Sequence, residues 1–398
     1  MRICFLFNHD QIHQIAHSLP IAIALAEGGF DGEIIVATTN DRLACEVRRL
    51  AGALLGTRIR HVALGLSPRS AQLARFLSGV VPAAKILVYR DNLDFFRGLD
   101  MLVVAEKTSL MLKSRYGLSD LTMVHTRHGA GDRAIGFDKA SAGFDHVLCS
   151  GPKIRQRLIA EAGVDPDTIS IVGYPKFDMA GAPRRLFPSG GERPVVLYNP
   201  HPSPHLSSWY RHGRDVLDHF LADESHALIF APHVMLFERN FVVTIDKLTV
   251  SRAGTISSRY LHGDNMHIDL GSRASTDMSY TLASDIYLGD ASSQVYEFLL
   301  RPRPCIFLNS HGIAWRGDPN FNHWRAGEVI AHPGELAGAL ARATQLHDSH
   351  YRAVQQQMFA ESFDLTGQPS SQRAAHVLAA LAQARQPVAV GGRTLQAA

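Results

Sequence analysis

The sequence predicts an α/β protein built from two doubly wound domains with parallel sheets. Short apolar runs alternate with helical patterns nearly throughout, and this alternation is typical of βαβ units. The pattern breaks once, at 173–194, into glycine, proline and arginine, which indicates a linker. A chain of 398 residues is long enough for two or three domains, each with its own core.

The first half of the chain contains eight short apolar runs with helical stretches between them. The predicted strands are 2–7, 33–37, 59–63, 86–89, 101–105, 121–125, 145–149 and 169–172. The helical stretches include 13–26, 41–54, 68–79, 107–115 and 152–162. These elements define a first domain over 1–175.

The second half repeats the alternation. Predicted strands lie at 195–198, 227–231, 266–269, 285–288 and 304–308, with helices near 208–222 and 371–384. We assign a second domain to 190–370, and we expect the segment 371–398 to be a helix and loose tail that pack back on the first domain. Ligands in such sheets bind at the carboxyl ends of the strands, which here face the cleft between the domains.

Composition excludes several classes of protein. The formal charge of +3 is too small to argue for nucleic-acid binding, and no run reaches the ~20 apolar residues of a membrane-spanning helix. The four cysteines are scattered without CxxC spacing, so buried thiols in a reducing compartment fit better than a zinc site. We therefore expect a cytoplasmic protein; peripheral contact with the inner face of a membrane stays open.

The nucleotide-binding motifs with the strongest signatures are missing. No Walker-type phosphate loop occurs, and no Gly-x-Gly-x-x-Gly follows the first strand, which argues against a P-loop ATPase and against an NAD site. No pair of acidic residues of the DxD type follows a strand, so neither a metal nor a cofactor is expected. Helix ends, histidines and arginines would have to bind any phosphate.

Histidines follow four of the predicted strands. His13 and His17 lie one helical turn apart, but a metal site needs more ligands, so a helix lining the cleft is the favoured reading. His128 stands in the glycine-rich turn "RHGAGDR", where an imidazole can accept a proton near neutral pH; a plain turn with a solvated histidine is equally compatible. Asp132 and Arg133 follow closely.

Two further histidine-bearing stretches come from the second half. "VLYNPHPSPH" places His201 and His205 after a strand, where they could approach a phosphate or belong to a loop shaped by prolines. "IFAPHVM" places His233 directly after another strand. A lone histidine there is usually structural, but the position beside the other loops favours a ligand contact.

The stretch "SDIYLGDASSQVYEF" joins a strand to a helix through Asp290, Ser292 and Ser293. Helix capping explains one serine, but not both serines and the aspartate. An anion bound by N–H groups, hydroxyls and the helix dipole explains both serines. Asp290 would instead orient a donor group or a sugar hydroxyl.

Taken in order, these stretches resemble the CDP-glycerol glycerophosphotransferase family of the teichoic-acid primase and polymerase type, which has a GT-B fold. "RHGAGDR" is similar to the family's His-Gly motif, "VGYPKFD" to its Gly-x-Pro-x-x-Asp segment, and "GDASSQVYEFLLRPRPCIF" to its Asp-Tyr-Ser-Ser motif. The chain has Ala130-Gly131-Asp132-Arg133 in place of the usual Thr-Pro-Leu-Lys, and Ala291 in place of the tyrosine. The first strand and "VGYPKFD" also resemble non-hydrolysing UDP-N-acetylglucosamine 2-epimerases.

The resemblance implies a role for each candidate residue. His128 would be the general base, with Asp132 and Arg133 beside it as catalytic candidates. The donor's diphosphate would bind to His233, Asp290, Ser292 and Ser293. The nucleotide would lie near Gly173, Pro175, Asn199 and His201, with Glu297 bonding the ribose hydroxyls.

The sequence thus predicts a GT-B transferase that moves a glycerophosphate or glycosyl unit from a nucleotide-diphosphate donor, such as CDP-glycerol, to a hydroxyl acceptor in cell-surface polymer or glycolipid synthesis. The acceptor can be lipid-linked or a polysaccharide. Two alternatives remain: a nucleotide-sugar 2-epimerase of the same fold, which would need a cleft carboxylate pair such as Asp10, Asp132 or Asp290, and a non-catalytic nucleotide-sugar-binding protein.

Overall fold

The structure is a computed structural model of the 398-residue chain. It describes residues 1–8, 12–77, 83–183, 186–187, 193–238, 242–244 and 249–385. Asp10, parts of the predicted linker and the end of the tail therefore lie outside the described residues.

The first domain contains a seven-stranded sheet in the order β3-β2-β1-β4-β5-β6-β7, and every pairing in it is parallel. The strands are β1 (Arg2–Phe7), β2 (Glu33–Thr38), β3 (Ile59–Ala63), β4 (Met101–Val104), β5 (Thr122–His125), β6 (His146–Cys149) and β7 (Ile169–Ile171). The chain reverses its direction of winding between β1 and β4, which is where doubly wound sheets open a crevice.

Helices cover both faces of this sheet. They are α1 (Ile15–Glu27), α2 (Asp41–Ala51), α3 (Pro68–Leu77), α4 (Ala83–Asp91), α5 (Leu93–Arg97), α6 (Met111–Ser114) and α7 (Pro152–Ala160). Two apolar clusters of buried residues, one on each face, form the core of the domain.

One predicted strand is wrong. Residues 86–89 belong to α4, where Val88 and Tyr89 are buried while Ile86 and Leu87 are only half-buried. A short apolar run of this kind fits a buried strand and one side of a helix equally well, so periodicity could not separate the two.

The second domain contains a six-stranded parallel sheet in the order β12-β9-β8-β13-β14-β15. Its strands are β8 (Val195–Asn199), β9 (Ala227–Phe230), β12 (Met266–Ile268), β13 (Ile286–Gly289), β14 (Cys305–Leu308) and β15 (Glu328–Ile330). A separate antiparallel pair, β10 (Val242–Thr244) and β11 (Thr249–Ser251), stands beside it. Strands β10, β11 and β15 were not predicted from the sequence.

The helices of the second half are α8 (Trp209–Ala222), α9 (Ser279–Ala283), α10 (Gln294–Phe298), α11 (Leu336–Leu346), α12 (Arg352–Ser362) and α13 (Ser370–Ala384). Helix α13 returns to the first domain, where Ala374, Leu378 and Ala382 are buried in the same core cluster as α1. The last helix therefore belongs structurally to the first domain. No helix among the described residues is long and apolar enough to cross a bilayer.

The architecture confirms the predicted fold class of two doubly wound α/β domains. Because the loops that follow β5, β8, β9 and β13 line one common cavity, the carboxyl ends of both sheets face the cleft between the domains.

Candidate active site in the interdomain cleft

The cleft contains a cavity of about 330 Å³, and nine of the twelve candidate residues line it. Three of them, His128, Asp132 and Arg133, come from the loop after β5. The other six come from the second domain: Asn199, His201, His233, Ser292, Ser293 and Glu297. The fold thus brings together side chains that lie far apart along the chain, from His128 to Glu297.

His128 is oriented by the backbone of the residue that follows the neighbouring strand β4. Its Nδ1 lies 2.9 Å from the carbonyl oxygen of Ala105, so Nδ1–H donates to that oxygen in the neutral ring. The lone pair of Nε2 is then the ring's remaining acceptor, and the side chain is exposed to the cleft. Burial among protein atoms lowers the pKa of His128, with the charge of Arg127 acting in the same direction. A neutral imidazole with an available lone pair can take a proton from a hydroxyl.

The glycines beside His128 allow the two domains to touch. Gly129 has a φ of +76°, a left-handed conformation that glycine adopts without strain. A Cβ added at Gly131 would lie 2.7 Å from Cβ of Ser293, which is closer than two carbon atoms can approach. The glycine-rich turn is therefore required by the close approach of the second domain, and it seats His128 opposite Ser293.

Asp132 lies at the cavity, as a catalytic candidate should, but its carboxylate is engaged by other residues. Its carboxylate is buried and forms an ion pair with Nζ of Lys153 at 2.9 Å. It also accepts hydrogen bonds from the hydroxyl of Tyr296 at 2.7 Å and from the backbone N–H of His323 at 2.9 Å.

The partners of Asp132 lie in both domains, so this carboxylate joins them. Burial alone would raise the pKa of Asp132, but the bond to His323 and the charge of Lys153 outweigh it and lower the pKa. An ionised carboxylate with its lone pairs occupied is a structural anchor for the turn of His128.

Arg133 and His201 lie within hydrogen-bond distance of each other across the cleft. Nδ1 of His201 lies 3.0 Å from the backbone N–H of Ser203, and its Nε2 lies 3.2 Å from Nη1 of Arg133. Both partners are donors, so the tautomer of His201 decides which of the two its ring accepts. Burial, followed by the charge of Arg133, lowers the pKa of His201 and keeps the ring neutral. A neutral imidazole has one lone pair, so an oxygen acceptor bound beside Arg133 would allow His201 to accept from Ser203 and to donate through Nε2–H.

His233 has the same orientation as His201. Its Nδ1 accepts the backbone N–H of Met235 at 3.3 Å, which leaves the ring hydrogen on Nε2. The two rings lie 6.2 Å apart between centroids. Burial and the charge of Lys176 lower the pKa of His233 to about 4. We call Arg133, His201 and His233 the N–H cluster, because all three line the cavity and each carries a ring or guanidinium N–H.

Ser292 and Ser293 line the cavity, but the helix behind them is short. Helix α10 has five residues, so its dipole contributes less than a longer helix would. Oγ of Ser292 accepts the backbone N–H of Gln294 at 3.3 Å, whereas Ser293 forms no side-chain cap. Ser293 is exposed in the cleft. The hydroxyl of Ser293 is therefore the better placed of the two for a ligand.

Asp290 does not line the cavity, in contrast to the predicted ligand contact. Its buried carboxylate accepts the backbone N–H of His201 at 2.8 Å and that of Ser208 at 2.6 Å. Burial raises its pKa to about 6. Asp290 acts on the site indirectly, because it holds the loop that carries His201.

Glu297 lies at the cavity wall with both oxygens already bonded. Nζ of Lys176 contacts them at 2.7 and 2.8 Å, and the hydroxyl of Tyr174 donates to one at 3.0 Å. A ribose contact by Glu297 would have to share these partners. Lys176 and Tyr174 were not predicted as site residues, although both lie inside "VGYPKFD", because their contacts with Glu297 span 121 and 123 residues.

The remaining candidates are Asn199, Gly173 and Pro175. Asn199 lines the cavity, and its Nδ2 donates to the carbonyl of Ala231 at 2.6 Å. Gly173 and Pro175 lie outside this cavity, in contrast to the predicted nucleotide contact. Gly173 has a φ of +82°, and a Cβ there would meet Oγ of Ser370 at 2.3 Å, so it is needed where α13 returns.

The early histidines differ from one another. His17 lines the cavity, with its ring 5.2 Å from that of Tyr174 between centroids, as expected of a helix that lines the cleft. The side chain of His13 lies outside the described residues. Among the residues that the structure describes, no group of three His, Cys, Asp or Glu side chains could hold a metal ion.

The sequence matches no family model and no curated protein. Solved structures do match. The wall teichoic acid polymerase TagF is 12% identical, with a TM-score of 0.58 over 96% of this chain and 88% of that one. The UDP-GlcNAc 2-epimerase from Neisseria meningitidis, bound to UDP-GlcNAc, is 11% identical, with a TM-score of 0.57 over 96% of this chain and 100% of that one.

A third match is the glycotransferase of kitacinnamycin, which is 13% identical, with a TM-score of 0.54 over 95% of this chain and 98% of that one. Identities this low establish the fold alone. The chain has the GT-B fold, with two Rossmann-like domains that face a central cleft.

Proposed function

We propose that the protein is a GT-B transferase that moves a glycerophosphate or glycosyl unit from a nucleotide-diphosphate donor to a hydroxyl acceptor. One observation carries this proposal. The cavity contains a histidine that offers a lone pair, His128, and a separate cluster of residues that offer only hydrogens. A transfer reaction needs both, because the acceptor hydroxyl loses a proton while the anionic leaving group needs hydrogen bonds.

The geometry supports a specific assignment of roles. Diphosphate oxygens accept hydrogen bonds from Arg133, from Nε2–H of His201 and from Nε2–H of His233. This ends the competition of Arg133 and the backbone N–H of Ser203 for the single lone pair of His201. The hydroxyl of Ser293 adds a further donor on the side that faces His128.

His128 takes the proton of the acceptor hydroxyl on Nε2, while the carbonyl of Ala105 accepts from Nδ1–H and stabilises the imidazolium that forms. With CDP-glycerol, the acceptor oxygen bonds to the glycerol-bearing phosphorus and CMP leaves with the electron pair of the broken P–O bond. With a nucleotide sugar, the oxygen bonds to the anomeric carbon and the nucleoside diphosphate leaves.

The likeness to an epimerase supports the second candidate, nucleotide-sugar 2-epimerisation, at the level of fold. That reaction needs a carboxylate pair in the cleft. Of the three candidates, Asp132 and Asp290 have their oxygens engaged by Lys153, Tyr296 and backbone N–H groups, and Asp10 lies outside the described residues. The occupied carboxylates favour transfer over epimerisation.

The deciding experiment combines a donor screen with a variant of the base. Thermal unfolding is recorded with CMP, CDP, UDP, GDP, CDP-glycerol and UDP-N-acetylglucosamine, since a ligand at 100 times its Kd adds ~2.7 kcal/mol to stability. The stabilising donor is then incubated with wild type and with His128→Asn, and the products are followed by phosphorus NMR. His262→Asn, at an exposed histidine of the second domain, is the matched control.

Three outcomes separate the candidates. Leaving-group release by wild type and by the His262 variant, with binding but no release in the His128 variant, supports the transferase. Appearance of the C2 epimer of the sugar supports the epimerase. Binding without any product across a panel of hydroxyl acceptors supports a nucleotide-sugar-binding protein and refutes both enzymes.

A further inference from the structure

Arg127 is a buried arginine in a strained backbone conformation. It lies two residues after the end of β5 and directly before His128. Its φ is +57°, in the left-handed region that residues with a side chain seldom adopt. Glycine would form the turn without strain, as Gly129 does at a φ of +76°. A strained residue next to the candidate base indicates that the arginine side chain has a use there.

The guanidinium of Arg127 is buried without a carboxylate partner. Only 8% of the residue is exposed. Its Nη1 donates to the carbonyl of Gly136 at 2.6 Å, and its Cζ lies 4.6 Å from the ring centroid of Phe137. Within the part of the chain that the structure describes, Arg127 forms no ion pair, and its buried Nε has no hydrogen-bond partner. Most of the N–H groups of this guanidinium are therefore unused.

No nearby anionic group is free to neutralise Arg127. The carboxylate whose charge acts on it is that of Asp138, which forms an ion pair with Nζ of Lys107 at 2.9 Å. The thiol of Cys149 is neutral at pH 7, because burial raises its pKa to about 12. Burial, with the charge of Arg157, lowers the pKa of Arg127 to about 10, so the guanidinium is still charged. A buried cation of this kind is stabilised when an anion binds beside it.

The guanidinium reaches the cavity in the cleft. Arg127 and Gly136 both line that cavity, and a Cβ added at Gly136 would lie 3.2 Å from Nη2 of Arg127. Arg127 also borders a void of about 20 Å³ beside Cys149, which has room for about one water molecule. An anion therefore has space to approach Nη2 only from the cleft.

The charge of Arg127 acts on the side of the cavity that holds the base. It lowers the pKa of His128, and two lysines, Lys85 and Lys107, act in the same direction. The charge that acts most on His201, in contrast, is that of Arg133. Arg127 is thus a second positive group in the cavity, beside the base and separate from the N–H cluster.

We propose that Arg127 binds an oxyanion of the acceptor, so that the hydroxyl compound accepted by the protein carries a phosphate or a carboxylate. Nη2–H donates to the anionic oxygen while Nη1–H stays on the carbonyl of Gly136, and the acceptor hydroxyl lies against Nε2 of His128. Arg127 orients the acceptor, and no bond forms or breaks at the anionic group. That the anion belongs to an acceptor rests on the proposed function, whereas the anion contact of Arg127 does not.

Isothermal titration calorimetry of the full chain tests this contact without any turnover. The protein is saturated with pyrophosphate, which occupies the N–H cluster, and is then titrated with inorganic phosphate or with acetate. Wild type should bind the oxyanion, and the tighter of the two identifies the group that the acceptor carries. Arg127→Gln should weaken this binding by roughly tenfold or more, the value of a hydrogen bond to a charged group. Its affinity for pyrophosphate should equal that of wild type.

Three further variants separate binding from a structural role. Arg127→Gly suits the φ of +57°, so it removes the guanidinium without straining the turn and should lose the oxyanion as Arg127→Gln does. Arg127→Lys keeps a cation and should retain part of the affinity. Phe137→Leu removes the ring beneath the guanidinium but keeps the charge, and it should bind as wild type does.

Three results overturn the proposal: no oxyanion binding by wild type, equal binding by wild type and Arg127→Gly, or an equal loss in Phe137→Leu and Arg127→Gln. The last result would make Arg127 a packing residue of its loop. Failure of pyrophosphate to bind contradicts the proposed function instead, and the same titrations on the free protein then still test Arg127.

Discussion

His128 and the N–H cluster contain the same kind of ring in opposite orientations. All three histidines lie in the cleft, and burial lowers the pKa of each, so the rings are neutral near pH 7. Nδ1–H of His128 donates to a backbone carbonyl, whereas Nδ1 of His201 and Nδ1 of His233 face a backbone N–H. The first ring therefore offers a lone pair at Nε2, and the other two offer a hydrogen.

This difference shows that the backbone partner, and not the residue type, decides what a neutral histidine can do. A lone pair accepts a proton, and an N–H stabilises an anion. The same backbone bonds that give each loop its shape thus divide the cavity into a proton-accepting side and an anion-binding side. Variants that alter one side alone should separate catalysis from binding.

Replacing His128 should have the largest effect. His128→Asn keeps a side chain that can bond to the carbonyl of Ala105, but it removes the basic nitrogen. We expect kcat for transfer to fall by about 10²- to 10⁴-fold, the usual contribution of a positioned base. Affinity for the nucleotide donor should be unchanged, because the N–H cluster is intact. Steady-state kinetics measure the first quantity and isothermal titration calorimetry the second.

A comparable loss of donor affinity in His128→Asn would contradict the division of the cavity, because it would place His128 among the anion-binding groups. His262→Asn, at an exposed histidine, controls for the substitution itself.

Asp132 bonds to residues of both domains, so its replacement should lower the stability of the whole protein. Asp132→Ala leaves Lys153 buried without its partner and removes the acceptor of Tyr296 and His323. Removing one member of a buried ion pair costs about 3–5 kcal/mol. We expect the free energy of unfolding in urea to fall by that order.

The double variant Asp132→Leu/Lys153→Met tests the cause of this loss. It removes both charges and should recover part of the stability, since no charge is then left unpaired. If Asp132→Ala is as stable as wild type, the carboxylate does not join the domains.

The sequence predicts the fold well because the fold follows from local patterns. Buried parallel strands such as β1 and β13 are apolar runs bounded by polar turns, and these are visible without any tertiary information. The exception, 86–89, arose where an apolar run lies in a helix that is buried on one side. The carboxyl ends of strands then point to the cleft, which explains why nine of the twelve candidates line the cavity.

The roles of individual side chains were less predictable because they depend on distant partners. Asp132 and Glu297 look like free carboxylates in the sequence, yet each is paired with a lysine, at separations of 21 and 121 residues. Asp290 lies beside two ligand candidates but bonds to the backbone of a loop 89 residues away. A sequence motif gives the position of a carboxylate along the chain, but only the folded structure shows which charged side chain it is paired with.

Arg133 should affect binding more than chemistry. Arg133→Gln removes the charged donor opposite His201, and hydrogen bonds to charged groups are worth about 1.5–3 kcal/mol. We expect the Kd for pyrophosphate, which stands in for the donor's diphosphate, to rise by roughly 10- to 150-fold. Isothermal titration calorimetry measures it, with Arg115→Gln at an exposed arginine of the same domain as control. Equal affinity in the two variants would remove Arg133 from the N–H cluster.

The smallest effect should appear in the pH profile of wild type. Protonation of His128 abolishes the lone pair, so kcat/KM should fall as the pH drops through its pKa and should be level above it. Because burial lowers that pKa, the midpoint should lie below the ordinary histidine value of 6.5. His233, with a pKa of about 4, stays neutral over the same range. Asp290, with a pKa of about 6, is also protonated on acidification, so the profile of Asp290→Asn separates its contribution from that of His128.

The lowered pKa of His128 also makes the free energy of unfolding depend on pH. A histidine whose pKa is lower in the folded state stabilises the protein above its unfolded pKa, and this contribution is lost as the pH falls through the lowered folded value. Acidification should therefore lower the free energy of unfolding of wild type more than that of His128→Asn. Two results would exclude His128 as the neutral base. One is a midpoint of the kcat/KM profile above pH 6.5. The other is an acid limb that persists unchanged in the residual activity of His128→Asn, because the proton would then go to another group.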